Sequence, residues 1–212
     1  MGVIQVSEKL ISFLIFLPLF FISLSVHEFA HAFFANKFGD DTAKKLGRLT
    51  LNPIKHIDLV GSILMPLLAF SSGYLIIGWA KPVPVNRNNF RNPLKNDLIV
   101  TVAGPVSNFV LAFVFYFILT ALNGINPEGL HLIKKVTWLG VYFNVFLFAF
   151  NLLPIPPLDG SHIVYDLFPG KLTAKYLNLG LYGTLLLFAF IYSPLWNMFM
   201  NLVSFLIELF FT

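Results

Sequence analysis

The sequence predicts an all-α polytopic membrane protein, and three observations carry that prediction. Of 212 residues, 57% are hydrophobic and only 11% are charged, whereas a soluble domain carries roughly 25% charged residues. Apolar runs of bilayer-spanning length recur along the chain. The lysines and arginines collect in the gaps between those runs, where orientation signals are expected. The expected architecture has about five to six membrane segments, a re-entrant or hairpin region, and short extended strands near residues 80–86. Residues 1–165 form the expected core, with C-terminal membrane helices from 166–212 packed on it.

The first run, 10–35, is long enough to cross a bilayer at 1.5 Å per residue. Its first half could also be the core of a signal peptide, with Ala30-His31-Ala32 as a cleavage site. The run continues through Phe33 and Phe34 and further apolar runs follow, which favours a retained helix. Residues 36–57 are polar and basic and contain the turn signals Gly39-Asp40 and Asn52-Pro53. The run 58–79 is broken by Pro66 and by Ser71-Ser72-Gly73 into pieces too short to cross, which predicts a hairpin. Prolines 82 and 84 exclude helix from 80–86 and favour extended chain. A clean span follows at 98–122, with Ala103, Gly104 and Asn108 near its start. Small residues there allow close helix approach. The run 136–153 ends at Pro154, Pro156 and Pro157, which leave Asp159 on unwound backbone. Runs at 177–192 and 195–211, divided by Ser193-Pro194, complete the chain.

The chemistry centres on His27-Glu28-Phe29-Ala30-His31. Histidines four apart share one face of a helix, and the intervening glutamate lies beside them, a pattern that holds a divalent metal with a proton-handling group next to it. A structural cluster of buried polar residues is the bland alternative. Each ionisable group near a bilayer centre costs about 2.5–3.5 kcal/mol on insertion scales, so three within five residues need a compensating partner. A catalytic zinc takes three protein ligands. With no cysteine in the chain, the third must be nitrogen or oxygen. His56, His131, His162, Asp58, Asp159 and Asp166 are the candidates, and Asp159 is preferred. An acid on proline-broken backbone at membrane depth lines a cavity or binds something. Asp58 reads as a helix N-cap, and His162 as an interfacial histidine, with a partner of the ligand shell as the less common alternative. The expected cofactor is one Zn²⁺ per chain, although a His₂Asp set also suits Fe²⁺, Co²⁺ or Mn²⁺.

Charge placement tests this choice. If 58–79 turns back, eleven of fourteen Lys and Arg fall on one face, which is also the face where His31 and Asp159 meet. If 58–79 crosses, the split is seven to seven and the ligands lie on opposite sides. The positive-inside rule prefers the first arrangement and puts the site toward the cytoplasm. No basic stripe stands free of the membrane pattern, so nucleic-acid binding has no support.

With HEFAH, Asn151-Leu152-Leu153-Pro154 running on to Leu158-Asp159-Gly160, Gly78 to Asn86, and Ala103 to Asn108 in view, the sequence resembles the site-2 protease family of intramembrane zinc metalloproteases. The likeness runs from the first helix to about residue 165 and is to the minimal form, without a PDZ-like insertion or a nucleotide-sensing domain. The resemblance implies His27, His31 and Asp159 as zinc ligands, Glu28 as catalytic base, and Asn151 as support for substrate or oxyanion. It implies a transmembrane protein substrate in a prokaryotic cell membrane, in contact with lipid. Lys81, Pro82, Val83, Pro84, Val85 and Asn108 are the expected substrate-binding residues, the first five as an extended edge that an unwound substrate joins by β-augmentation. Ser161 departs from the glycine that often follows the family's LDG. The sequence leaves the oligomeric state, the substrate and the cleavage position open. A membrane transporter or metal-handling protein using the same histidines and aspartate for transit is the alternative, and Glu28 discriminates, since transit needs no general base.

Overall fold

The computed structural model describes residues 2–72, 78–123 and 130–212, and within them every regular element is helical. Helix α1 (Gly2–Lys37) carries HEFAH in its last third. A short α2 (Thr42–Lys45) follows, then α3 (Met65–Ser72), α4 (Pro93–Asn123), α5 (His131–Asn151), α6 (Asp159–Leu167), α7 (Lys171–Leu177), α8 (Leu181–Ile191) and α9 (Leu195–Glu208). Three helices are long and apolar enough to cross a membrane: 13–37 of α1, 93–122 of α4 and 131–151 of α5. α4 packs against both α1 and α5, so these three make the frame.

The apolar contacts explain that frame. Ala112 of α4, Val141, Val145 and Ala149 of α5, and Phe199 and Val203 of α9 form one buried cluster. Phe20 and Leu24 of α1 pack with Leu147 of α5 and Ala80 in a second. Small residues at 112 and 149 let the helix axes approach, with Phe109, Phe146 and Phe150 filling the space around them.

The two ends of the run 58–79 meet. Asp58 caps its start, its Oδ1 accepting from Val60 N–H at 3.1 Å and Gly61 N–H at 2.8 Å, as the N-cap reading requires. A π-helical turn (Leu59–Leu64) leads into α3. Trp79 N–H donates to Gly61 O at 3.2 Å and Ser62 hydroxyl donates to Trp79 O at 2.7 Å. A Cβ on Gly61 would stand 2.4 Å from the Trp79 indole, so only glycine lets the two ends close. Entry and exit are therefore adjacent, which is the hairpin geometry.

One expectation is corrected. Residues 80–86 form no strand: with prolines at 82 and 84, the amides of Lys81, Val83 and Asn86 bond singly to different elements rather than to a ladder. Lys81 N–H goes to His56 O at 2.9 Å, Val83 N–H to Glu28 Oε2 and Asn86 N–H to Asp40 Oδ2, both at 2.7 Å. The described residues hold three helices that can cross, or four if the bent pair α7–α8 is one span, against the five to six segments expected. α7 and α8 bend by 76° at their junction, and α9 has 14 residues. At 1.5 Å per residue, α9 is about 21 Å long, short of the roughly 30 Å hydrocarbon core.

Candidate metal centre

α1 presents His27, Glu28 and His31 inward, all buried. Its opposite side, through Val26, Phe29 and Phe33, lines an apolar groove of about 750 Å³ against α4. Gly104 of α4 faces the histidines. A Cβ there would lie 2.3 Å from His31 Nε2 and 2.8 Å from His27 Cε1, so this glycine leaves the space in front of the ligand atoms open.

Hydrogen bonds fix both imidazoles. His31 Nδ1 lies 2.8 Å from the carbonyl of Val100. A carbonyl only accepts, so Nδ1 carries the proton and Nε2 presents a lone pair. His27 Nδ1 lies 2.7 Å from Asn108 Oδ1. The amide orientation of Asn108 follows from its other partners: Nδ2 donates to Ser23 O at 3.1 Å and to Asn144 Oδ1 at 3.0 Å. Asn144 is fixed in turn, its Nδ2 donating to Ser23 Oγ at 3.0 Å and Gly140 O at 2.9 Å. Asn108 therefore accepts from His27, and His27 Nε2 is bare as well.

The third group arrives from α6. Asp159 begins that helix, just past the turn at Pro154–Pro157. Its Oδ2 stands 3.1 Å from His27 Nε2 and 3.5 Å from His31 Nε2, and the two Nε2 atoms are 3.0 Å apart. The three ligand atoms lie within 4.8 Å of one another. Oδ2 is buried without a hydrogen-bond partner. Two lone pairs and a carboxylate oxygen thus converge with the ring protons committed elsewhere, an arrangement that a divalent cation satisfies. The N₂O set fits zinc. Ser161, the departure in the LDG motif, is buried and donates its hydroxyl to Leu158 O at 2.7 Å, tightening the first turn of α6.

Glu28 lies beside the ligands, with its Oε2 accepting from Val83 N–H at 2.7 Å. Val83 is the buried middle of residues 81–85, between half-buried Pro84 and Val85 on one side and exposed Pro82 and Lys81 on the other. Asn151 is half-buried at the end of α5 and donates Nδ2 to Leu147 O at 3.0 Å. Asn108, expected from its motif to meet substrate, is fully enclosed with its amide used within the protein. Of the other ligand candidates, Asp58 caps the hairpin, and His56 Nε2 meets Thr50 O at 2.8 Å. His162 and Asp166 face Arg87, at 3.5 Å and 3.1 Å from Nη2. Sequence reasoning missed Asn144, Ser23 and the Val100 carbonyl. Asn144 had a usable signal, an amide in the middle of the apolar run 136–153.

Comparison with known proteins gives the family of the chain. The family model described as peptidase family M50 matches residues 15–135 and 128–191. Relatives that carry zinc-metalloprotease names include YwhC of Bacillus subtilis (strain 168), 45% identical over 178 residues, 82% of this chain and 78% of that protein. Rip2 of Mycolicibacterium smegmatis is 36% identical over 143 residues, 66% of this chain and 51% of its own. MJ0392 of Methanocaldococcus jannaschii is 25% identical over 146 residues, 69% of this chain and 32% of its own. No solved structure matches the chain. With a family match over most of its length and a relative at 45% identity, the chain belongs to peptidase family M50, the site-2 proteases, a family of zinc metalloproteases.

Proposed function

We propose that this chain hydrolyses peptide bonds in or near transmembrane segments of membrane-protein substrates, using one zinc ion held by His27, His31 and Asp159 on the cytoplasmic side of a multi-pass cell-membrane protein. The observation that carries the reading is the convergence of two bare Nε2 atoms and Asp159 Oδ2 next to a buried glutamate. The relatives' zinc-metalloprotease names support it. The adjacency of Asp40 to Asn86 and of Arg48 to Lys81 supports a shared face for the two basic loops, as the charge argument requires.

Zinc held by His27, His31 and Asp159 would polarise a carbonyl and lower the pKa of its bound water toward about 7. Glu28 takes that proton as the water oxygen attacks the scissile carbonyl carbon, and returns it to the amine nitrogen as the C–N bond breaks. The amide N–H of Val83 holds one oxygen of Glu28, leaving the other to face the reaction. Asn151 has one Nδ2 proton on Leu147 O and a second with which to support substrate or oxyanion. A substrate helix hides its carbonyls in its own hydrogen bonds, so it must unwind before attack. Residues 81–85 lie against Glu28 through Val83, which supports this segment as the place where the unwound chain is held.

Co-expression of a transmembrane substrate with wild type and with Glu28→Gln tests the reading. Cleavage by wild type alone is expected, and equal cleavage by both would overturn it.

A further inference from the structure

The segment that meets Glu28 is held at both ends by the loop that follows the HEFAH helix. Arg48 is buried, with no carboxylate at ion-pair distance among the described residues. Its Nη2 donates to Lys81 O at 2.6 Å and stands 3.5 Å from His56 Nδ1. His56 is oriented by Thr50 O at Nε2, which makes Nδ1 an acceptor, and its own carbonyl takes Lys81 N–H at 2.9 Å. Both backbone groups of Lys81 are therefore bound. At the other end Asp40, also buried, accepts Asn86 N–H at 2.7 Å through Oδ2, and Asn89 Nδ2 at 2.7 Å and Thr42 hydroxyl at 2.5 Å through Oδ1. Val83 N–H reaches Glu28 between these two anchors.

A guanidinium buried without a counter-charge is costly. The bonds made by Arg48 account for its position: it bonds the main chain of the segment and no ligand of the metal centre. We propose that Arg48 and Asp40 are positioning residues that fix residues 81–86 at both ends and so set the register in which substrate lies against Glu28. This rests on the reading of 81–85 as the substrate-receiving segment of a protease. Substrate registered one residue off presents a different carbonyl to Glu28, so the two anchors determine which bond is cut.

The test uses full-length, zinc-loaded protein in detergent, a model transmembrane peptide, and the variants Arg48→Lys and Asp40→Asn. In each variant, zinc content stays at the wild-type level and KM rises about tenfold, with a smaller change in kcat. Mass spectrometry of the products shows a second cut beside the wild-type one, and amide hydrogen exchange quickens at Lys81, Val83 and Asn86. A single unchanged cut with unchanged KM would overturn the inference. So would parallel loss of zinc and kcat with KM unaltered, or failure of both variants to fold, because each assigns the two residues to the scaffold alone. If one variant does not fold, the other carries the test. If the wild type cleaves nothing, it is the protease reading that falls, a result distinct from unchanged register in an active variant.

Discussion

Asn108 on α4 accepts the Nδ1 proton of His27 on α1 at 2.7 Å, and the amide of Asn144 on α5 holds Asn108 in the orientation that makes this possible. One ligand ring is thus set by polar atoms from all three long helices. In an apolar bundle such a relay keeps Nε2 free of its proton and aimed at Asp159.

Loss of that relay is expected to weaken metal binding. Asn108→Ala should lower zinc affinity by about 10- to 100-fold, the range for residues that orient a ligand. A competition titration against a chelator measures it. Affinity equal to wild type would mean that His27 is oriented by packing alone.

Gly104→Ala separates site from scaffold. Alanine is the better helix former by roughly 0.8–1 kcal/mol, so intrinsic preference predicts a more stable α4. Its methyl group would stand 2.3 Å from His31 Nε2, so zinc content and cleavage should both fall sharply while the variant still folds. Full zinc occupancy in this variant would contradict the position given to α4.

The chain has no cysteine, so single cysteines report topology cleanly. Asn52→Cys and Asn86→Cys should be labelled by an impermeant thiol reagent from the same face of the membrane. Labelling from opposite faces would contradict the return of the chain at Trp79 to Gly61.

The carboxyl of Asp166 is raised to about 7, first by burial and then by the like charge of Asp97, against the pull of Arg87. Arg87 contacts both carboxylates, approaches His162 and lies over the Tyr165 ring at 4.8 Å. A raised carboxyl favours the protonated form in the folded state. Its contribution is therefore complete below the unfolded carboxylate value and is lost as pH rises from about 4 through about 7. Asp166→Asn stays neutral, so its melting temperature relative to wild type should rise between pH 5 and pH 8. A difference constant across that range would contradict the account.

The sequence carried the site better than it carried the shape. HEFAH and Asp159 were readable because ionisable groups in apolar runs require partners, and the hairpin was readable because Pro66 and Ser71-Ser72-Gly73 cut the run short. In the tail, hydropathy sees apolar residues but not the 76° bend between α7 and α8. Residues 80–86 looked like strand by composition, yet their amides are claimed by Glu28, Asp40 and His56, which are brought together only by the tertiary fold. Arg48 was counted as a loop charge, and its burial depends on the same long-range packing.

The most direct test measures zinc stoichiometry and cleavage of a reconstituted transmembrane substrate on the same preparations of wild type, Glu28→Gln and Asp159→Ala. The account predicts one zinc per chain in wild type and in Glu28→Gln, cleavage by wild type alone, and loss of both zinc and cleavage in Asp159→Ala. Cleavage by Glu28→Gln at the wild-type rate, or full zinc occupancy in Asp159→Ala, would contradict it.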